Sequence, residues 1–184
     1  MAQLAEDADY QQRKAEFDAG LAVRTDALGA AEAPIVRSLH EVGVHVRSVW
    51  DLVNTLDPYP HALPVLLHHL EVGGYPERVM ESLGRALAVK PAVAWWNRFK
   101  ELYARARDDG EEDGLAVALA ACATEAQYED LVGFLSWEER GQTRIYFLAP
   151  IRQLGGARGM SLLRQLQKHP VFGREARALL RGAQ

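Results

Sequence analysis

From residue 60 onward the chain repeats one pattern: an apolar stripe of helical spacing, a short turn, and a second stripe. The pairs begin near residues 60, 91, 125 and 157, so the spacings are 31, 34 and 32 residues. A two-helix unit of this length cannot bury its apolar side alone. It must stack on its neighbours, which is the sequence signature of an α-solenoid. Strands are excluded as a main component, because alternating β-branched runs are few and apolar positions recur at three and four.

The first pair is expected over Pro60–Val72, with Leu63, Leu66, Leu67 and Leu70 on one face, and Glu77–Val89, with Val79, Met80, Leu83, Ala86 and Leu87. Gly73, Gly74 and Pro76 mark the turn between them. Pro91 opens the third helix, striped by Ala92, Trp95, Trp96, Phe99, Leu102 and Tyr103. Glu111–Thr124 follows and is apolar on all sides from Leu115 to Ala123, so it should be central. Next come Glu125–Trp137 and Gln142–Leu154, the latter with a kink or break expected at Pro150. Ala157–Lys168 and Phe172–Arg181 complete the series, split by His169-Pro170.

The N-terminal third is helical but out of register. Leu4–Leu28 reads as a long charged helix with a thin stripe at Tyr10, Phe17, Leu21 and Leu28. Two shorter helices are expected over Pro34–Val42 and Val46–Leu56. The domain reading is therefore an N-terminal helical cap, residues 1–57, on a continuous stack of about four pairs, residues 58–184. Terminal covers of this kind are needed because the last face of a stack is otherwise bare.

Two stretches carry a resemblance. Ala62-Leu63-Pro64-Val65-Leu66-Leu67-His68-His69-Leu70 and Glu77-Arg78-Val79-Met80-Glu81-Ser82-Leu83-Gly84-Arg85-Ala86-Leu87 resemble the first and second helices of a HEAT-like repeat. The type is the short bacterial one, also seen in phycobilin-lyase-like proteins. Glu129–Leu135 followed by Arg144–Ala149 is similar but weaker, and Val46–Asn54 looks like a segment found ahead of such repeats. The resemblance covers roughly residues 46–184. It implies an all-α, right-handed α-α superhelix, and a role as a scaffold or binding surface. A few members of the family resemble base-repair glycosylases or chromophore lyases. Pro150 inside a second helix, and the missing arginine in Glu111–Thr124, depart from the pattern.

In HEAT-like proteins the second helices line a concave groove. Carried onto this chain, that implies a polar groove of Arg78, Glu81, Arg85, Asp113, Arg144 and Arg152, with Arg78, Ser82 and Arg85 opposite the apolar stripe of their helix. Aligning Val79 with Ile145 sets Arg144 where Arg78 stands. A plain solvated helix face is the competing reading. Trp96 is the aromatic candidate, because Trp95 and Trp96 are adjacent and cannot both face the core.

Catalytic and metal motifs are weak. The six histidines offer no pair at i, i+4 for zinc. Asp108-Asp109-Gly110-Glu111-Glu112-Asp113 lacks the calcium-loop spacing and reads as a helix start, where the dipole favours carboxylates. Gly155-Gly156-Ala157-Arg158-Gly159 lacks a preceding strand and the Walker lysine, so a turn is sufficient. Cys122, the one cysteine, permits no intrachain disulfide and sits in the apolar helix as a core thiol. No catalytic group, cofactor or metal is expected from these residues.

Charge separates the remaining functions. The net charge is -4, but residues 140–184 carry nine basic side chains against Glu175 alone, while residues 1–139 are strongly acidic. The leading expectation is a non-enzymatic protein-binding scaffold, in its specific form an antidote-type inhibitor whose acidic body meets a basic protein. The alternative is nucleic-acid binding through residues 140–184, in the manner of the glycosylase-like relatives. The acidic total weighs against it. No apolar run suits a membrane span, the N-terminus lacks the signal-peptide pattern, and the single cysteine fits a reducing, cytoplasmic setting.

Overall fold

A computed structural model describes residues 2–182. Those residues form helices, turns and connections, with no strand among them. The α-helices are α1 (Ala2–Glu41), α2 (Trp50–Val53), α3 (Ala62–Val72), α4 (Glu77–Ala86), α5 (Trp96–Ala104), α6 (Asp109–Cys122), α7 (Tyr128–Phe134), α8 (Leu148–Gly155), α9 (Ala157–Leu166) and α10 (Gly173–Arg181). Tight 3-10 turns precede α5 (Lys90–Trp95), α7 (Glu125–Gln127) and α8 (Thr143–Phe147), and another spans Glu138–Arg140.

The helix starts follow local chemistry. Asp108 caps α6: its Oδ1 accepts the Glu111 backbone N–H at 2.8 Å, and Glu111 Oε2 accepts the Arg107 N–H at 3.0 Å. Thr124 and Gln127 form a reciprocal capping box ahead of α7. Gly73 and Gly156 have φ of 64° and 53°, the left-handed region a side chain disfavours, and they end α3 and α8.

Two N-terminal expectations are corrected. Leu4–Leu28 and Pro34–Val42 are one uninterrupted helix, α1, with Pro34 inside it. Proline removes one donor, yet Ile35 and Leu39 are fully buried and anchor the turn that follows. Val46–Leu56 contracts to the single turn of α2, because Asp51 accepts the Arg47 and Ser48 N–H groups and delays the start. At Pro150 the expected break falls earlier, between Phe147 and Leu148. That places the proline in the first turn of α8, where a missing N–H costs nothing.

One apolar cluster runs through the molecule, from Ile35 and Leu39 of α1 to Leu163 and Ala176 of α9 and α10. Its centre is α6, with Leu115, Ala116, Ala118, Leu119 and Cys122 fully buried. Helix α6 packs on α4, on α5 and on the Thr143–Phe147 turn, while α7, α9 and α10 gather around α8. Tyr103, Phe134, Trp137 and Phe147 form an edge-to-face and stacked aromatic group beside it, with centroids 4.8–5.9 Å apart.

Candidate functional site

The site begins with glycine. Gly110 and Gly114, four residues apart on α6, face α4. A Cβ on Gly110 would lie 2.2 Å from the Glu77 carbonyl oxygen, and one on Gly114 2.8 Å from that of Glu81. Gly84 completes the close crossing from the α4 side. Small residues alone allow two backbones to come this near. The consequence is that polar side chains at the helix margins meet.

Arg85 is the junction. Its Nε donates to Glu81 Oε1 at 2.8 Å on its own helix, and a terminal nitrogen donates to Asp113 Oδ2 at 2.5 Å on α6. Asp113 Oδ1 accepts the Tyr146 hydroxyl at 2.7 Å, and Glu81 Oε2 accepts Arg78 at 2.9 Å. Arg78 in turn lies 4.4 Å above the Trp50 ring. Burial alone would lower the Arg85 pKa, but Asp113 and Glu81 outweigh it and the net shift is upward. Burial also pushes the Tyr146 phenol up, helped by the Asp113 carboxylate it bonds.

A second set closes the cleft. Arg140 reaches Glu112 at 3.3 Å and the Ala104 carbonyl at 2.7 Å. Thr143 Oγ1 donates to Glu112 Oε1 at 2.6 Å, so it is free to accept the Tyr103 hydroxyl at 2.9 Å. Between these sets lies a cleft of about 540 Å³, with Glu77, Glu81, Asp109, Glu112, Asp113 and Glu139 on its walls. Arg85 and Arg140 are the cations there. Glu77, Asp109 and Glu139 are exposed and form no ion pair among the described residues.

Beside it, a mainly apolar cleft of about 590 Å³ opens between the α2–α3 connection and α4, bordered by Leu56, Pro58, Tyr59, Val89 and Pro91. Arg85 lines both.

Four of the sequence candidates, Arg78, Glu81, Arg85 and Asp113, are thus joined in one chain of contacts. Arg144 is elsewhere. It is 5% exposed, donates to the Gly141 and Leu135 carbonyls, and stacks over Phe172. Its expected outward position fails because Thr143–Phe147 is a 3-10 turn, which rotates side chains differently from the α-helix assumed in the alignment. Ser82 is buried as well and bonds the Val79 carbonyl. Arg152 borders a separate hollow with Met160 and Leu179 and donates weakly to the Gly182 carbonyl. Trp96 is 6% exposed, and its Nε1 donates to Asp130 at 2.6 Å, so its ring is core rather than platform.

The sequence reading missed Glu112, Arg140, Thr143 and Tyr146. The signal that could have found them was the Gly110–Gly114 spacing, which brings the acidic run against Glu77–Arg85. Among the described residues no cluster of three or more His, Cys, Asp or Glu side chains could hold a metal ion. No helix among them is long and apolar enough to cross a membrane. A scan against family models, a search of curated proteins and a search of solved structures each returned no match to this chain.

Proposed function

We propose that this protein is a non-enzymatic interaction scaffold of short HEAT-like type, whose acidic cleft receives basic side chains of a partner protein. One observation carries the reading: the cleft holds six carboxylates against two guanidinium groups, and both guanidinium groups are already paired. Its residual charge is negative, and three of its carboxylates remain available to a cationic partner. The paired carboxylates hold position, which suits recognition more than proton transfer. The side-by-side row of α4, α6 and the Thr143–Gly155 segment supports the superhelical form. In its sharpest form the scaffold is an antidote-type inhibitor of a basic protein, with the acidic first 139 residues speeding the encounter.

The test uses the exposed carboxylates, which can be reversed without breaking the network. A fluorescent lysine-rich peptide is titrated into the protein and into a Glu77→Lys, Asp109→Lys, Glu139→Lys variant. The reading requires saturable binding that weakens at least tenfold in the variant and falls with salt. Equal affinity for both proteins overturns it.

The nucleic-acid alternative is weakened by the consumption of Arg140 and Arg144 inside the molecule. It retains Arg164, Lys168, Arg174, Arg177 and Arg181, all exposed on or beside α9 and α10. A gel shift with duplex DNA that is steep in salt would favour it over the scaffold.

A further inference from the structure

We infer that the protein forms a two-fold dimer through the N-terminal half of α1, paired antiparallel with the same helix of a second copy. The inference is independent of the acidic cleft.

Helix α1 has two unequal parts. Its C-terminal part is docked: Ile35 and Leu39 are fully buried, and Leu28 packs against the core. Its N-terminal part carries Tyr10, 59% exposed, and Phe17, 63% exposed. At 3.6 residues per turn, Tyr10 lies five turns from Leu28, and Phe17 five turns from Ile35. All four therefore share one face of one helix. The face that docks on the body continues past it, and Tyr10 and Phe17 on that face are left uncovered among the described residues. The sequence stripe Tyr10, Phe17, Leu21 and Leu28 steps by 7, 4 and 7 residues, the spacing of a helix-pairing seam.

Charge selects the occupant and its direction. Where α1 meets the body, a hollow of about 330 Å³ is lined by Leu28, Gly29, Glu32, Arg47, Trp50 and Arg78. Arg47 is exposed and forms no ion pair among the described residues, and the Arg78 side chain is 59% exposed. Arg78 is already paired with Glu81, so Arg47 is the hollow's available cation, and Glu32 is buried beside it. The far end of the same helix holds Glu6, Asp7 and Asp9 in the sequence. With Tyr10 of one copy set against Leu28 of the other, Phe17 falls beside residue 21, and residues 6–9 fall beside residues 29–32. That register delivers an acidic helix end to the cationic hollow and an aromatic ring to its Leu28–Trp50 wall. A two-fold axis repeats both contacts, so one stripe of about 27 Å satisfies both copies. A parallel pairing would instead set the three carboxylates of each copy against one another.

Sedimentation of the full chain reads the stoichiometry, and cysteine cross-linking reads the direction. Cys122 is buried and silent, so introduced thiols report cleanly. The expected result is a dimer that Phe17→Glu converts to monomer and that Arg47→Glu weakens about tenfold. A mixture of Tyr10→Cys and Leu28→Cys proteins should form a mixed disulfide dimer, while neither alone does. A monomer at all concentrations overturns the inference. So does a dimer untouched by Phe17→Glu, or a cross-link formed by Tyr10→Cys alone, which would mean parallel pairing.

Discussion

Gly84 and Gly114 meet where α4 crosses α6, so closely that a Cβ on Gly84 would lie 2.3 Å from the Gly114 carbonyl carbon. The obstacle is backbone, which cannot swing aside as a side-chain end can. Gly84→Ala should therefore force the helices apart, at about 1–3 kcal/mol or more. It should also stretch the Arg85–Asp113 pair and weaken binding of the lysine-rich peptide. Gly133→Ala is the control: the space around Gly133 is open, and alanine favours a helix by up to about 1 kcal/mol. Urea midpoints measure both. A Gly84→Ala protein as stable as the parent would mean the crossing is looser than described.

Arg85 and Asp113 are about three-quarters buried as side chains, and each has a second partner, Glu81 and Tyr146. Deleting one end strands the other in a partly dry site. A double-mutant cycle on Arg85→Ala and Asp113→Ala should give a coupling energy of about 0.5–3 kcal/mol. Tyr146→Phe should cost less than Asp113→Ala, because the carboxylate keeps its guanidinium. Strict additivity of the two alanine changes would show that the pair contributes nothing as a pair.

The residues that the sequence displayed well are those whose environment is set by their own helix. Leu66, Leu70, Leu83 and Leu119 reveal their burial through spacing alone, because the helical period fixes the face. Arg78, Glu81 and Arg85 share one helix and were legible together for the same reason. Arg144 was not, because its neighbours wind as a 3-10 turn and nothing in Thr143–Phe147 announces that winding. Arg140 and Glu112 were not, because they meet only after α6 and the Glu138–Arg140 turn pack, a contact spanning 28 residues. The continuity of α1 through Pro34 was not legible, because proline commonly opens a helix, and the anchoring of Ile35 and Leu39 exists only once the helix packs.

His69 joins three segments. Ser38 donates its hydroxyl to the Pro34 carbonyl at 3.1 Å, so it accepts from His69 Nε2 at 3.2 Å. That leaves Nδ1 as acceptor of the Tyr75 hydroxyl at 2.7 Å. Burial, then the charge of His68, lowers the His69 pKa below its ordinary 6.5. The native state therefore favours the neutral ring, while the unfolded chain takes a proton near 6.5. Stability is level above that pH and falls as pH drops below it, until the native ring is protonated too. Urea midpoints from pH 7.5 to 5 should decline more steeply in the parent than in His69→Gln. Parallel declines would mean that His69 does not sense pH.

Tyr103 makes the opposite case at high pH. Its ring is fully buried against Phe134, Trp137 and Phe147, and its hydroxyl donates a hydrogen bond to Thr143, whose own hydroxyl donates one to Glu112. Burial, with Glu112 nearby, pushes the phenol from 10.0 up to about 12. The native state keeps this proton between those values, while the unfolded chain releases it. Stability that is fully present below pH 10 is therefore lost as pH rises towards 12. Tyr103→Phe removes the hydroxyl and its hydrogen bond, at about 0.5–1.5 kcal/mol near pH 8. It also removes the alkaline loss, so the parent's advantage should shrink as pH climbs through 10. Cys122, whose thiol burial pushes up to about 12, is present in both proteins and cancels in the difference. A gap between parent and variant that stays constant from pH 8 to 11 would show that Tyr103 ionises as readily in the folded protein as in the unfolded chain.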